Sequence, residues 1–351
     1  MKITAQYWGE LEQQPVTLFT LENSQGMRLS VTNFGCIVTA IETVDRFDNS
    51  ADLVLGYQSL EQYLAGHPFF GAVAGRYANR IANGRYQLDG VTFELETNEL
   101  ATKQHLHGGS KGFDKYVWGF TLEQQSEAIF IHFSRTSPAG ESGYGGKLQV
   151  IHSIGLDELN QVHYNFKAVT DKPTVVNLVN HSYYNLAGHS SGSTDRHELT
   201  LFADFYTPVD ENSIPTGEIR SVKNTALDFT VSKAIGSNKA KLKTEGFDHN
   251  FVLNQTKKVG QYHYAAKVHE PISGRTMTVL TTQPAVQFYN GFKLSNKHWL
   301  GKHGKDYQSC QGFCLETQHY PDSPNNPHFP STRLDPNQVY EQKTIHRFGI
   351  E

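Results

Sequence analysis

Cysteine is scarce: the 351 residues include only Cys36, Cys310 and Cys314. Three thiols make a poor disulfide framework and suit a reducing compartment, so a cytoplasmic location is expected. Cys310 and Cys314 could form half of a metal site, but no second cysteine pair follows. Two unpaired structural thiols are therefore expected. No run of eighteen apolar residues occurs, which leaves no candidate for a helical membrane span. The opening stretch from Met1 to Glu10 has no apolar segment of the secretory type. A basic excess is missing too. The formal net charge is −4, which argues against nucleic acid as a partner, because its binding needs a dense basic patch. Gly/Ser linkers, charge blocks and sustained repeats are absent, so one domain over 1–351 is expected. Helical periodicity is rare as well, and 59–65 is the best short candidate.

Alternation with period two is what the chain does have. Val162, Tyr164, Phe166 and Ala168 alternate with His163, Asn165 and Lys167, which predicts a strand with one buried face. Residues 147–155 predict another strand, with a turn at 156–160 between the two. Further strands are predicted at Arg28–Thr32, 129–134, 199–202, Tyr262–His269 and 276–281, with a hairpin connection at 272–275. Residues 188–195 form a loop, and the polar stretch 293–308 a surface loop. Many short strands punctuated by Gly and Asn predict an all-β fold, a large antiparallel sandwich or barrel with few short helices.

Five clusters carry candidate chemistry. His181 lies in Asn177-Leu-Val-Asn-His-Ser-Tyr-Tyr-Asn-Leu186, and Tyr183 would share its face in a strand. Glu316 follows the apolar run 312–315, where burial raises a carboxyl pKa toward the range of a general base. A His and a carboxylate of this kind can act as acid and base on one small substrate. Their aromatic and amide neighbours suit a molecule with hydroxyls on one side and C–H faces on the other, as in a sugar. Asn79 and Arg80 are adjacent, so a straight strand would point them opposite ways; a bend would let both reach a ligand. His105 and His107, at i and i+2, would share a strand face and could hold a metal. A zinc site needs a third ligand, however, and no His-Glu-x-x-His pattern is present. Gly108 and Gly109 allow a tight turn that would hold His107 at a cleft rim. Asp248, between Phe247 and His249, could accept hydrogen bonds from a sugar diol. Each cluster alone also has an ordinary structural reading: a surface Arg, a core His, a turn-capping Asp or a paired strand-end Glu. Pro321, Pro324, Pro327 and Pro330 stiffen the loop after Glu316, which could wall a cleft.

Together and in this order, the clusters resemble the aldose 1-epimerase (galactose mutarotase) family, from about Leu21 onward. The segment Leu315-Glu-Thr-Gln-His-Tyr-Pro-Asp-Ser-Pro-Asn325 is the most distinctive. The resemblance implies a β-sandwich of the galactose mutarotase type with an open cleft. It implies cofactor-free, metal-free interconversion of the α and β anomers of a free aldohexose such as galactose or glucose. It places Glu316 as general base and His181 as general acid, with Asn79, Arg80, His107, Tyr183, Asp248 and Gln287 as substrate-binding residues. The expected partner is a small-molecule aldose, with neither nucleic acid nor membrane, in a monomer or homodimer. Val179 and Tyr184 depart from the family pattern, as does the stretch after Gln287.

Three rivals are weighed. A non-catalytic carbohydrate-binding protein on the same fold would need Arg80 and Asp248 but not both His181 and Glu316. A sugar-phosphate 1-epimerase should show extra cations for a dianion, for which Arg76 and Arg85 are the candidates. A glycosidase would need two carboxylates, Asp248 and Glu316, and would leave His181 without a role.

Overall fold

The computed structural model describes residues 1–242 and 244–351. The alternating segments pair as predicted. Ala128–Ser137, Leu148–Asp157 and Gln161–Thr170 run antiparallel in succession, and Tyr340–Ile350 follows them in the sheet. Arg275–Thr281 and Tyr262–His269 continue it, and Glu198–Leu201 lies beyond. This ten-stranded sheet forms one layer. Against it lie two five-stranded sheets. One is N-terminal, from Lys2–Leu11 to Ser50–Asp52. The other is ordered Arg220–Ser221, Phe205–Thr207, Asp248–Val252, Ala285–Tyr289, Cys314–Gln318. One apolar cluster joins all three layers, including Phe19 and Val31, Ile131 and Phe166, and Phe251, Phe288 and Leu315. This is the antiparallel sandwich expected from the period-two pattern. The short helix covers Leu60–Leu64, inside the predicted 59–65. No helix among the described residues is long and apolar enough to cross a membrane.

Alternation in the third sheet decides which side chains leave the core. Phe251, Val286, Phe288 and Leu315 point into the common cluster. The alternate residues therefore share the opposite face. Register then sets them in rows: Asp248 beside Tyr289 and Cys314, and Asn250 beside Gln287 and Glu316.

Several histidines are buried where charging them is unfavourable. His152 is fully buried, with its ring 3.7 Å from that of Phe166 and nearly parallel to it; its Nδ1 bonds the Asn165 carbonyl. Burial pushes the pKa values of His152 and His346 down to about 3 and that of His197 to about 4. The unfolded chain protonates these groups near the ordinary value of about 6.5. Their contribution to stability is therefore full above pH about 6.5 and is lost as pH falls toward the folded pKa values. Each such group forfeits about 1.4 kcal/mol per pH unit across that window. Urea midpoints at pH 7, 6 and 5 should fall in steps. A midpoint flat from pH 7 to 5 would contradict this burial.

Candidate active site

Glu316 projects from the middle of Cys314–Gln318, a strand buried along its whole length. His181 follows the two-residue strand Val179–Asn180, which pairs with Val73–Ala74. Its backbone is fixed on both sides: the N–H donates to the Ala72 carbonyl and the carbonyl accepts from the Gly71 N–H. The two segments bring His181 Nε2 to 3.6 Å from Glu316 Oε2, with both side chains almost entirely buried. Burial displaces the pair in opposite directions. It pushes the His181 pKa down to about 4, against smaller upward pulls from its own backbone carbonyl and from Asp248. It raises Glu316 well above the usual carboxylate range; Asp248 adds to the rise, and the Arg80 guanidinium opposes it. Burial thus favours the neutral form of each partner.

Asn79 sits at φ +61, the bend that lets it and Arg80 serve the same cleft. Arg80 begins a two-residue strand paired with His105–Leu106. Asn79 and His107 clasp each other. The Asn79 N–H donates to His107 Nδ1, and the His107 N–H donates to the Asn79 carbonyl, both at 3.1 Å. The His107 backbone is at φ +51 and its ring stands 5.2 Å from that of His181, nearly perpendicular to it. The shared face expected for His105 and His107 does not exist, because the strand ends at Leu106 and the bend turns His107 away. His105 instead spends both ring nitrogens on the Glu96 carbonyl and the Tyr144 hydroxyl.

His107, His181 and Glu316 place ligand-type atoms within 4.8 Å of one another. The donor chemistry does not suit a cation there. His107 Nδ1 accepts a backbone N–H, so the neutral ring carries its proton on Nε2 and offers no free lone pair. His107 is instead a fixed N–H donor.

Together these residues line a cleft of about 410 Å³. Asn79, Arg80, His107, His181, Tyr183, Asp248 and Glu316 all face it. Gln287, beside Glu316 in the register, is not among the residues lining it; its Nε2–H donates to Asp248 Oδ1 at 2.7 Å and so orients that carboxylate. The apolar wall comes from Phe69, Tyr289, Leu294 and Trp299, none of which the sequence singled out. Glu99 is also new: it holds Arg80 by two hydrogen bonds of 2.7 and 2.8 Å. The stretch 293–308 is more than a surface loop, since Lys293, Asn296, Lys297 and Trp299 line the cleft. The proline-rich loop after Glu316 is a clamp and not a wall. Its Asp322 accepts the Ala82 N–H and donates its own N–H to the Arg80 carbonyl. Asn177 ties this loop to the Arg80 segment: its Oδ1 accepts the His319 N–H and its Nδ2 donates to the Ala78 carbonyl. Arg76 and Arg85 are not phosphate ligands of the cleft. Arg76 is buried against Ser137, Gly145 and Gly146, and Arg85 is exposed beside Glu94. Val179 and Tyr184 are buried and do not line the cleft.

The sequence model of the aldose 1-epimerase family matches residues 17–347. The chain belongs to the aldose 1-epimerase family. It is 43% identical over 352 residues to galactose mutarotase of Bos taurus, covering 100% of this chain and 99% of that one. It is 36% identical over 344 residues to aldose 1-epimerase of Escherichia coli K12, covering 96% of each. The structure of galactose 1-epimerase from Lactobacillus acidophilus NCFM superposes with a TM-score of 0.86 at 27% identity, covering 99% of both chains. This family member is accordingly an isomerase with the galactose mutarotase fold, and its reaction is aldose 1-epimerisation.

Proposed function

We propose that the cleft interconverts the α and β anomers of a free aldohexose, galactose or glucose, with Glu316 and His181 as the proton-transfer pair. The observation that carries this reading is their opposition: an imidazole and a carboxyl 3.6 Å apart, displaced in opposite directions, inside an aromatic-walled cleft. That spacing is slightly longer than a direct hydrogen bond and leaves the pair free to engage the sugar.

The chemistry balances with one proton. Hydroxyls of the bound sugar stabilise the Glu316 carboxylate, as does the Arg80 guanidinium, while Asp248 favours imidazolium at His181. Glu316 takes the proton of the C1 hydroxyl, the C1–O5 bond breaks as C1=O forms, and His181 gives its proton to O5. The pair ends as neutral acid and neutral imidazole, the forms that burial favours. Ring opening thus discharges a buried ion pair, and low polarity helps it forward. Rotation about C1–C2 presents the other carbonyl face, and both proton transfers reverse. Asn79, Arg80, His107 and Asp248 hold the hydroxyls. Tyr183, Phe69 and Trp299 meet the C–H faces.

Polarimetry tests the reading. Freshly dissolved α-D-galactose or α-D-glucose should mutarotate faster with the protein than in buffer. The buffer rate alone on a panel of free aldoses sinks it. His181 stays neutral down to its lowered pKa of about 4, so the acid limb of kcat/KM should lie near pH 4 and not near 6.5. Rapid jumps from pH 7 separate this limb from acid unfolding. A limb centred at 6.5 would remove His181 from the role.

A further inference from the structure

Glu316 and Cys314 are two residues apart on one strand, so both side chains emerge on the cleft side. His181 lies between them. Its Nε2 faces Glu316 at 3.6 Å, and its Nδ1 faces the Cys314 sulfur at 3.5 Å. One strand therefore addresses both nitrogens of the catalytic imidazole. The sulfur is the only side-chain hydrogen-bond partner of Nδ1 among the described residues. Cys314 is fully buried, packed with Leu55, Tyr183 and Tyr307.

We propose that Cys314 is a positioning residue of the reaction: its sulfur accepts the Nδ1 proton of His181 and turns the bare Nε2 toward Glu316 and the sugar. The proposal rests on the proton-transfer role of His181 given above. A ring that shuttles protons through Nε2 must keep Nδ1 protonated in both of its states. Beside the residue's own backbone carbonyl, the sulfur is the side-chain acceptor that can orient Nδ1–H. A carboxylate there would orient it but also raise its basicity and weaken it as an acid. Sulfur is a weak acceptor. It holds the ring and leaves the acid strong. Burial, with Glu316 and Asp248 nearby, pushes the Cys314 thiol well above its ordinary pKa, so it stays a neutral partner and does not become a thiolate. The other ionisable groups around His181 are Glu316, Asp248, His107, His67 and Tyr183.

The test combines side-chain 15N NMR of histidine with kinetics on Cys314→Ala and Cys314→Ser. In the wild-type protein at pH 7, His181 should show Nδ1 protonated and Nε2 bare. Cys314→Ala should give a tautomer mixture and lower kcat about tenfold, the low end for groups that orient a histidine from behind, with KM little changed. Cys314→Ser, whose hydroxyl can also accept, should recover the wild-type tautomer and most of kcat. A wild-type ring protonated on Nε2 overturns the proposal. So does a Cys314→Ala variant with wild-type kcat and pH profile, or equal losses in the two variants, which would mean packing alone. The 15N pattern is read without substrate, so this contact can fail while the epimerase reading stands, and the reverse.

Discussion

Glu316→Gln is expected to lower kcat a hundredfold or more, the usual scale for losing a general acid–base group, and to make the protein more stable. The two effects share one cause. Glu316 is held in a site that raises its pKa well above the ordinary range, through burial first and Asp248 second. A raised folded pKa means its favourable contribution is complete below the unfolded value of about 4.3 and is lost as pH rises through the folded value. At neutral pH the wild-type protein therefore bears the cost of a buried carboxyl that the unfolded chain would ionise freely. Glutamine keeps the shape of the protonated acid and has nothing to ionise. Its gain in Tm should grow from pH 5 to pH 7.5. Thermal melts at both values, beside polarimetric rates, check both halves. A variant that loses activity and stability together would mean that Glu316 supports the fold through contacts absent from the described structure.

Gly108→Ala should be the most damaging single methyl group near the site. A Cβ there would lie 1.8 Å from the Gly75 carbonyl oxygen and 2.8 Å from the Arg76 nitrogen, at a backbone φ of +91. Both contacts are backbone, so no side chain can swing aside. The combined cost of strain and overpacking is about 3 kcal/mol or more. The loop that moves carries His107 and, through the Asn79 clasp, the position of Arg80. Urea unfolding should show the loss, and KM for the aldose should rise in whatever protein still folds. A variant with wild-type midpoint and KM would show that the turn is not as tight as described.

The parts of the fold legible in the sequence are those with one wet face. Gln161–Thr170 alternates because its outer side chains meet solvent, and its pattern reads off directly. The strands that carry the site do not alternate in polarity. Cys314–Gln318 is buried on both faces, with a cleft on one side and the core on the other. Glu316 faces the cleft while Thr317, on the opposite face, meets the Thr344 hydroxyl of the ten-stranded sheet, so polarity along the strand shows no period. The two-residue strands that precede His181 and contain Arg80 are too short for any period. The site was legible through the clusters taken together and the family they resemble: singly, His181, Glu316, Asn79, Arg80 and Asp248 each also read as ordinary structural residues. Glu99 and Trp299 were not legible, because an exposed-looking acid and one tryptophan in a polar stretch carry no local signal; only the folded chain brings them to Arg80 and the cleft. Gln287 was read as a ligand-type amide, and in the structure its Nε2–H donates to Asp248.

The strand Tyr340–Ile350 lies between Gln161–Thr170 and Arg275–Thr281, in the interior of the ten-stranded sheet. A ribosome releases it after both of the strands it joins. Until then the nascent sheet exists as two halves, each with an unpaired edge that invites pairing with another chain. The amide N–H groups of those two edges should consequently be the last to gain protection during synthesis. Loss of this strand would expose both edges at once and favour self-association of the sandwich.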